Sequence, residues 1–309
     1  YEIGSGLVGS EMCIRDRRSL TRKYYDLTDE RSAHINKLKG DLHTVFPQYL
    51  DVFCDVTGKT STMILRQYGT PDKILRGHKK TMIEKISKAS RKGLAKASER
   101  YEKLCAAANA AKTFGCQIDS IYFNIFLTLD LVEKLDSALD SILNRIRQLI
   151  TFNKNEKFIQ QIKLLNTIPG VGFLTAVTIM CEIGDFSAFR NPKQLFAYFG
   201  LDPEVNESGK FVGTQLHMSK RGSRIARRAI FAVALASIRT KRNGEGINPY
   251  LRKYYELKSG QKPKMVAIGA VMHKVCNIVF AVLRDEKAFE LRSPEEHCKQ
   301  YQRPALAAA

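Results

Sequence analysis

Hydrophobic positions recur at helical spacing along most of this chain. In the clearest run, residues 118–150, apolar side chains recur about every 3.5 residues, which is the heptad spacing of a coiled coil. Residues 18–46 show a similar pattern, and Pro47 ends it. Two pairings remain open: the 118–150 helix packs on the 18–46 helix, or it packs on a second copy of the chain. The apolar seam of the longer run consists of Ile118, Ile121, Ile125, Leu129, Val132, Leu135, Leu139, Ile142, Ile146 and Leu149.

The fold class that these patterns predict is mainly α. We expect a helical, coiled-coil region over 18–157 and an α-rich domain with a few short strands over 158–290, because a polar break at 151–157 separates them. Residues 1–17 look like translated sequencing adapter and are expected to lie outside the fold. The tail, 291–309, is expected to be disordered. Within the second domain, the spacing predicts helices at 158–165, 173–183, 193–199, 223–238, 250–257 and 264–283, with extended pieces in 201–217.

Charge changes the picture more than overall composition does. The net charge is +19, which favours a polyanionic partner, DNA or RNA before an anionic membrane. From 208 to 244 there are nine Lys or Arg and no acid, whereas a solvated helix face usually mixes signs. The sequence contains no run of 18 apolar residues, so no membrane span is predicted. The seven widely spaced cysteines predict free thiols and a cytoplasmic protein.

A glycine-containing turn lies between two predicted helices at 164–176. Gly170 and Gly172 allow a tight turn without a Cβ between the backbone and a ligand. The helix that follows can direct amide N–H groups and its positive dipole end at a phosphate. This pattern predicts a helix-hairpin-helix that binds the DNA backbone. The alternative is a plain helical corner whose glycines serve packing.

Ser208 is the candidate nucleophile. It lies in a polar Asn-Glu-Ser-Gly-Lys stretch, where a serine usually serves only the turn. Lys210 and the cationic run that follows make it a candidate, because cations near a hydroxyl can hold a scissile phosphate and offset its charge. His217 is a weak candidate for a general base.

A basic loop precedes the predicted 223–238 helix. Ser223 is placed to cap it, and three arginines recur on one face at i, i+3 and i+4. This arrangement favours phosphate binding over mere solubility. The predicted nucleic-acid-binding cations here are Lys220, Arg221, Arg224, Arg227 and Arg228.

The order of these motifs resembles the IS one-ten type insertion-sequence transposases. The matching blocks are IPGVG, FRNPKQLFAYFGL, ESG and MSKRGSRIARRA, followed by a basic final helix. The resemblance implies a bacterial serine recombinase guided by a structured bridge RNA. Ser208 falls on the family's ESG serine and would form a phosphoserine link to DNA.

Further expectations follow from the resemblance alone. The family's RuvC-like domain, whose carboxylates bind Mg²⁺, is expected to precede this sequence, so no metal ligand is assigned here and the fragment is expected to be inactive alone. A dimer or tetramer in the nucleoid-containing cytoplasm is implied, with DNA and bridge RNA as partners and no membrane. Two other readings stay open: a non-catalytic DNA- or junction-binding module built on the glycine turn, and a coiled-coil RNA-binding scaffold.

Overall fold

The computed structural model describes residues 5–116, 118–152, 155–204, 207–208, 211–212, 217–293 and 295–296. The backbone divides into two compact units. We call residues Tyr24–Asn144 the central unit, and Tyr1–Lys23 with Arg145–Ala309 the terminal unit. The expected boundary at 157 differs from this division, because the long helices at both ends of the central unit continue across its limits.

The described residues are mainly α-helical, as the periodicity predicted. The helices are α1 (Ser5–Val45), α2 (Tyr49–Val52), α3 (Lys59–Gln67), α4 (Pro71–Arg76), α5 (Lys79–Ser90), α6 (Leu94–Phe114), α7 (Asp119–Thr151), α8 (Glu156–Asn166), α9 (Phe173–Ile183), α10 (Pro192–Tyr198), α11 (Arg224–Ile238), α12 (Pro249–Ser259) and α13 (Lys264–Asp285). A short 3₁₀ turn spans Phe186–Ala188, and strands β1 (Glu207–Ser208) and β2 (Phe211–Val212) form one antiparallel pair.

Local signals set several of these boundaries. Asn191 and Asn248 each accept a hydrogen bond from the backbone of the helix that follows, and a proline occupies the first turn of α10 and of α12. These are standard ways to begin a helix. Helix α1 begins at Ser5, whereas the sequence predicted its start after residue 17. Arg17 is buried and lies over the ring of Phe158, 4.3 Å from its centroid.

The central unit has its own hydrophobic core. Side chains from α1 to α7 contribute to it, among them Leu38, Tyr49, Ile86 and Leu104. Helix α7 adds Ile125 and other positions of the predicted seam. The seam therefore packs within the chain, and the ion pair of Arg31 with Asp136 joins α1 to α7.

The terminal unit is built around three apolar helices. Helix α11 packs against α9 and α13, and α13 also contacts α8, α10 and α12. Helix α13 is long and apolar enough to span a membrane by length and composition, but 56% of its most apolar window is buried inside the protein. A buried helix at the centre of a folded unit has the same composition. The predicted tail, 291–309, lies mostly outside the described residues.

Candidate nucleic-acid interface

The turn between α8 and α9 contains the two glycines that the sequence singled out. Gly170 has φ +98°, and a Cβ there would lie 2.7 Å from the Ser237 Oγ and 3.2 Å from the Val233 carbonyl on α11. The Ser237 hydroxyl also donates to the Pro169 carbonyl, at 2.9 Å. Gly170 therefore serves the packing of this turn against α11, which is the role that the alternative interpretation gave it.

Gly172 differs, because a Cβ there would meet no atom within 4 Å. It is the N-cap residue of α9, and no side chain caps the helix at this position. The first N–H groups of a helix lack intrahelical partners, and their partial positive charge attracts anions. Gly172 is thus the glycine at which a phosphate could approach the backbone.

Ser208 lies in a short antiparallel hairpin. It pairs with Phe211, and Glu207 pairs with Val212. Lys210, which was expected to help hold a phosphate, lies outside the described residues, as does Gly209. The described backbone thus places Ser208 at the end of β1, next to the turn of the hairpin.

Residues 202–204, before β1, are also paired with residues 217–219, after β2. The Glu204 amide donates to the His217 carbonyl at 2.7 Å, and the Ser219 amide donates to the Asp202 carbonyl at 2.8 Å. Pro203 forms a bridge with Met218. His217 is exposed, and its carbonyl belongs to this ladder.

The base of the hairpin is held by a very close approach of two backbones. A Cβ on Gly222 would lie 2.0 Å from the Tyr198 carbonyl oxygen, and one on Gly200 would lie 2.4 Å from the Gly222 nitrogen. Gly200 also has φ +66°, which side chains other than glycine rarely adopt. Only glycine fits at these two positions, so the turn after α10 fixes the start of the basic loop.

The predicted basic residues around the start of α11 divide into two groups. Lys220, Arg221 and Arg224 are exposed. Arg227 instead donates to the Phe199 carbonyl at 3.1 Å, and burial lowers the pKa of its guanidinium. Arg228 is half-buried. The exposed group is therefore the part of this surface that can meet a phosphate, while Arg227 helps to hold the turn after α10.

A buried carboxylate that the sequence analysis missed organises this region. Glu182, near the end of α9, is only 2% exposed. Arg22 donates two hydrogen bonds to it, at 2.8 and 2.9 Å, and the Ser223 hydroxyl donates a third, at 2.7 Å. Ser223 also caps α11 by accepting from the Ala226 amide at 3.1 Å. Glu182 therefore links α1 and α9 to the residue that caps the basic helix α11.

The main chain at the end of α9 is engaged as well. Arg18 donates to the carbonyls of Cys181 and Glu182, at 2.7 and 3.3 Å, and the Tyr198 hydroxyl donates to the Glu182 carbonyl at 3.0 Å. Cations at the carboxyl end of a helix complement its dipole. The one signal for this cluster was an acid in an otherwise apolar helix, FLTAVTIMCEI.

The environment of Glu182 has opposing effects on its ionisation. Burial alone would raise the pKa of the carboxyl, but the hydrogen bonds from Arg22 and Ser223 favour the ionised form and outweigh burial. The pKa of Glu182 is therefore lowered, and the group is a carboxylate at neutral pH. Its carboxylate oxygens accept hydrogen bonds from Arg22 and Ser223.

Metal-ligating side chains do not cluster in the part of the chain that the structure describes. No three His, Cys, Asp or Glu residues there lie close enough together to hold an ion. These residues do not fit the Mg²⁺ that the resemblance implies for the complete family protein.

The segment that contains these features is similar to a transposase domain. Residues 162–256, which include the glycine turn, the Ser208 hairpin and the basic helix, match the model of the Transposase IS116/IS110/IS902 family. The resemblance to IS110-type transposases is thereby confirmed. This part of the chain is similar to that family's domain.

Curated relatives agree with the family match. The chain is 24% identical over 272 residues to an insertion element IS110 uncharacterized 43.6 kDa protein of Streptomyces coelicolor. It is 30% identical over 177 residues to a pilin gene-inverting protein of Moraxella bovis. It is 26% identical over 188 residues to the transposase for insertion sequence element IS1111A of Coxiella burnetii.

Each match covers a larger share of this chain than of the relative. The matches span 87, 57 and 59% of this chain, but only 63, 52 and 50% of the respective relatives. The chain therefore corresponds to about half to two thirds of these proteins.

Proposed function

We propose that this chain acts in a DNA transposase that cuts and joins DNA through Ser208. In the cutting step the Ser208 Oγ attacks a backbone phosphorus. The Oγ–P bond forms, the bond from phosphorus to the 3′ oxygen breaks, and the hydroxyl proton ends on the released 3′ oxygen. A 3′ hydroxyl of another strand then displaces the serine, which joins two DNA partners.

The observation that carries this proposal is the position of Ser208 within the family domain. Ser208 stands at the end of β1, and the described residues 217–222, which follow β2 in the chain, precede the basic start of α11. The chain segments at the foot of this hairpin are held in place by Gly200, Gly222 and Glu182. Because the foot of the hairpin is fixed, the serine hydroxyl keeps a more constant orientation than it would on a flexible loop.

The experiment is a covalent-adduct assay. The protein is expressed from the complete reading frame at its genomic locus and incubated with labelled DNA from both ends of that locus, and adducts are separated on a denaturing gel. We expect an adduct with the unaltered protein and with Ser141→Ala, which changes an exposed serine of α7. We expect none with Ser208→Ala. An adduct of equal yield with Ser208→Ala would reject the proposal.

A second role, binding of the DNA backbone, is supported by Gly172. The helix start there is uncapped, and a methyl group added to Gly172 would meet no atom within 4 Å, which leaves room for a phosphate. Exposed Lys220, Arg221 and Arg224 add positive charge at the start of α11. In a transposase this binding would hold the DNA for cutting. In the alternative, a non-catalytic helix-hairpin-helix module, DNA or junction binding would be the whole function. The Ser208→Ala variant separates the two cases. Its DNA affinity should be unchanged in both. If the protein is a transposase, the variant loses the covalent adduct, whereas a non-catalytic module forms no adduct even without the substitution.

Other partners follow from the resemblance and form part of the same proposal. They are a structured guide RNA, further copies of the chain in a dimer or tetramer, and Mg²⁺, for which no residue of this chain is assigned as a ligand. The proposed location is the bacterial cytoplasm, at the nucleoid. Light scattering of the protein with and without RNA tests the guide RNA and the oligomer. A protein that stays monomeric and does not bind RNA would contradict both of these proposals.

A further inference from the structure

The central unit carries a polar pocket that neither the family domain nor the Ser208 hairpin accounts for. It lies where α5 passes into α6 and has a volume of about 180 Å³. Four cations, two carboxylates, a serine and one apolar residue line it: Lys92, Lys96, Arg100, Lys103, Asp51, Glu99, Ser90 and Val52. The family match begins at residue 162, so this pocket lies outside it.

The cations are arranged in a row. Lys92 precedes α6, and Lys96 and Arg100 follow at successive turns of the helix, with Lys103 one turn further on. Like charges four residues apart on a helix repel each other and destabilise it by a few tenths of a kcal/mol. Glu99 pairs with Lys103 at 2.7 Å, which leaves three cations in the lining and Asp51 as the second carboxylate. The row therefore favours an external anion.

One member of the row is held in position by the core. Arg100 is half-buried, and its guanidinium lies over the ring of Phe53, 5.7 Å from the centroid. An arginine that packs on an aromatic ring loses less freedom when it binds a phosphate. Lys92 and Lys96 are exposed beside it. The pocket thus combines a fixed guanidinium with two accessible ammonium groups.

The loop between the two helices brings the row together. Arg91 is the C-cap residue of α5, with φ +53°, and Gly93 is the N-cap residue of α6, with φ +80°. A Cβ on Gly93 would meet nothing within 4 Å, and no side chain caps α6 there. The open helix start therefore adds its dipole to the positive charge of the row.

We propose that this α5–α6 pocket binds the backbone phosphates of a nucleic acid strand, at a site distinct from the Ser208 hairpin. A phosphodiester chain presents one charge per nucleotide, which matches cations spaced along successive helical turns. The proposal does not depend on Ser208 being the nucleophile, and Ser208→Ala leaves this binding unchanged. It gives a function to Lys92 and Lys96, which lie outside the family match.

The test compares two variants that remove the same charge from the same unit. In Lys92→Gln/Lys96→Gln the pocket loses two lysines, and in the control Lys37→Gln/Lys39→Gln two exposed lysines of α1 are lost. The full chain is titrated with 30-nucleotide single-stranded RNA, duplex RNA and duplex DNA at several salt concentrations. Circular dichroism melting shows that each variant is folded.

We expect the pocket variant to bind at least one of the three probes about tenfold more weakly than the control variant, with the slope of log K against log salt reduced by about 1.4 to 1.8. The probe that responds identifies the source of the phosphates. Equal affinities of the pocket and control variants on all three probes would overturn the proposal. A third variant, Arg100→Lys, keeps the charge but loses the planar group over Phe53, and we expect an intermediate loss for it.

Discussion

Ser223 donates a hydrogen bond of 2.7 Å to the buried carboxylate of Glu182, and the same hydroxyl caps the basic helix α11. One oxygen atom thereby connects the apolar helix α9 to the start of α11, where the loop with Lys220 and Arg221 meets Arg224. The geometry of the proposed DNA-binding surface depends on a carboxylate that is itself too buried to touch DNA.

Replacing Glu182 tests this dependence. Glu182→Gln leaves the Arg22 guanidinium without its buried counter-charge and weakens the bond from Ser223, so we expect the free energy of unfolding to fall by about 2 kcal/mol. Urea unfolding measures it. Glu84→Gln, at an exposed position on α5, is the matched control and should change stability by less than about 0.5 kcal/mol. Equal effects of the two variants would show that Glu182 has no organising role.

The same carboxylate predicts a dependence of stability on pH. Its pKa in the folded protein is lowered below the unfolded value, which for glutamate is about 4.3. The stability that Glu182 contributes is therefore present above that value and is lost as the pH falls through the folded pKa. Between about pH 6 and about pH 3 the original protein should lose more unfolding free energy than Glu182→Gln. Parallel pH profiles for the two proteins would contradict this.

Gly222 should be among the least replaceable residues of the terminal unit. An added Cβ would lie 2.0 Å from the Tyr198 carbonyl oxygen, and backbone atoms on both sides leave little room for adjustment. We expect Gly222→Ala to lower the unfolding free energy by more than about 2 kcal/mol. Gly269→Ala, within α13 where a Cβ meets nothing within 4 Å, should instead stabilise by about 0.5 kcal/mol. Thermal melting of both variants is the measurement.

The two glycines of the α8–α9 turn should respond differently. Gly170→Ala places a methyl group against Ser237 at a positive φ, so it should destabilise the fold by about 2 kcal/mol. Gly172→Ala changes the N-cap and should cost only about 0.5 kcal/mol, but it puts a methyl group where a phosphate is expected, so DNA affinity should fall about threefold or more. Fluorescence anisotropy with duplex DNA measures the affinity. Unchanged DNA affinity of a folded Gly172→Ala would remove Gly172 from the proposed interface.

Helical periodicity was enough to predict the fold class and most helix positions. It placed α11 and its cap at Ser223, as well as α13, within one or two residues of their observed limits. The seam of α7 was predicted too: Ile125, Leu129 and Val132 are buried. The pattern could not say which helix covers it, because periodicity identifies a buried face without identifying what packs against it.

The candidate site was only partly accessible from sequence. Motif order pointed to Ser208 and the basic helix, since those residues are close in the chain. The Glu182 cluster was missed because its partners Arg22 and Ser223 lie 160 and 41 residues away. Arg227 and Gly170 were assigned to ligand binding, whereas their described contacts are with the Phe199 carbonyl and with α11. Helical spacing alone does not distinguish an arginine that meets solvent from one that holds a neighbouring turn.

The central claim is that Ser208 becomes covalently attached to DNA. The most direct measurement is mass spectrometry of the protein–DNA adduct after digestion with nuclease and protease, which identifies the residue that retains a nucleotide. We predict a nucleotide linked through phosphate to Ser208, in the peptide that contains Glu207 and Phe211. A nucleotide on any other residue would contradict the account.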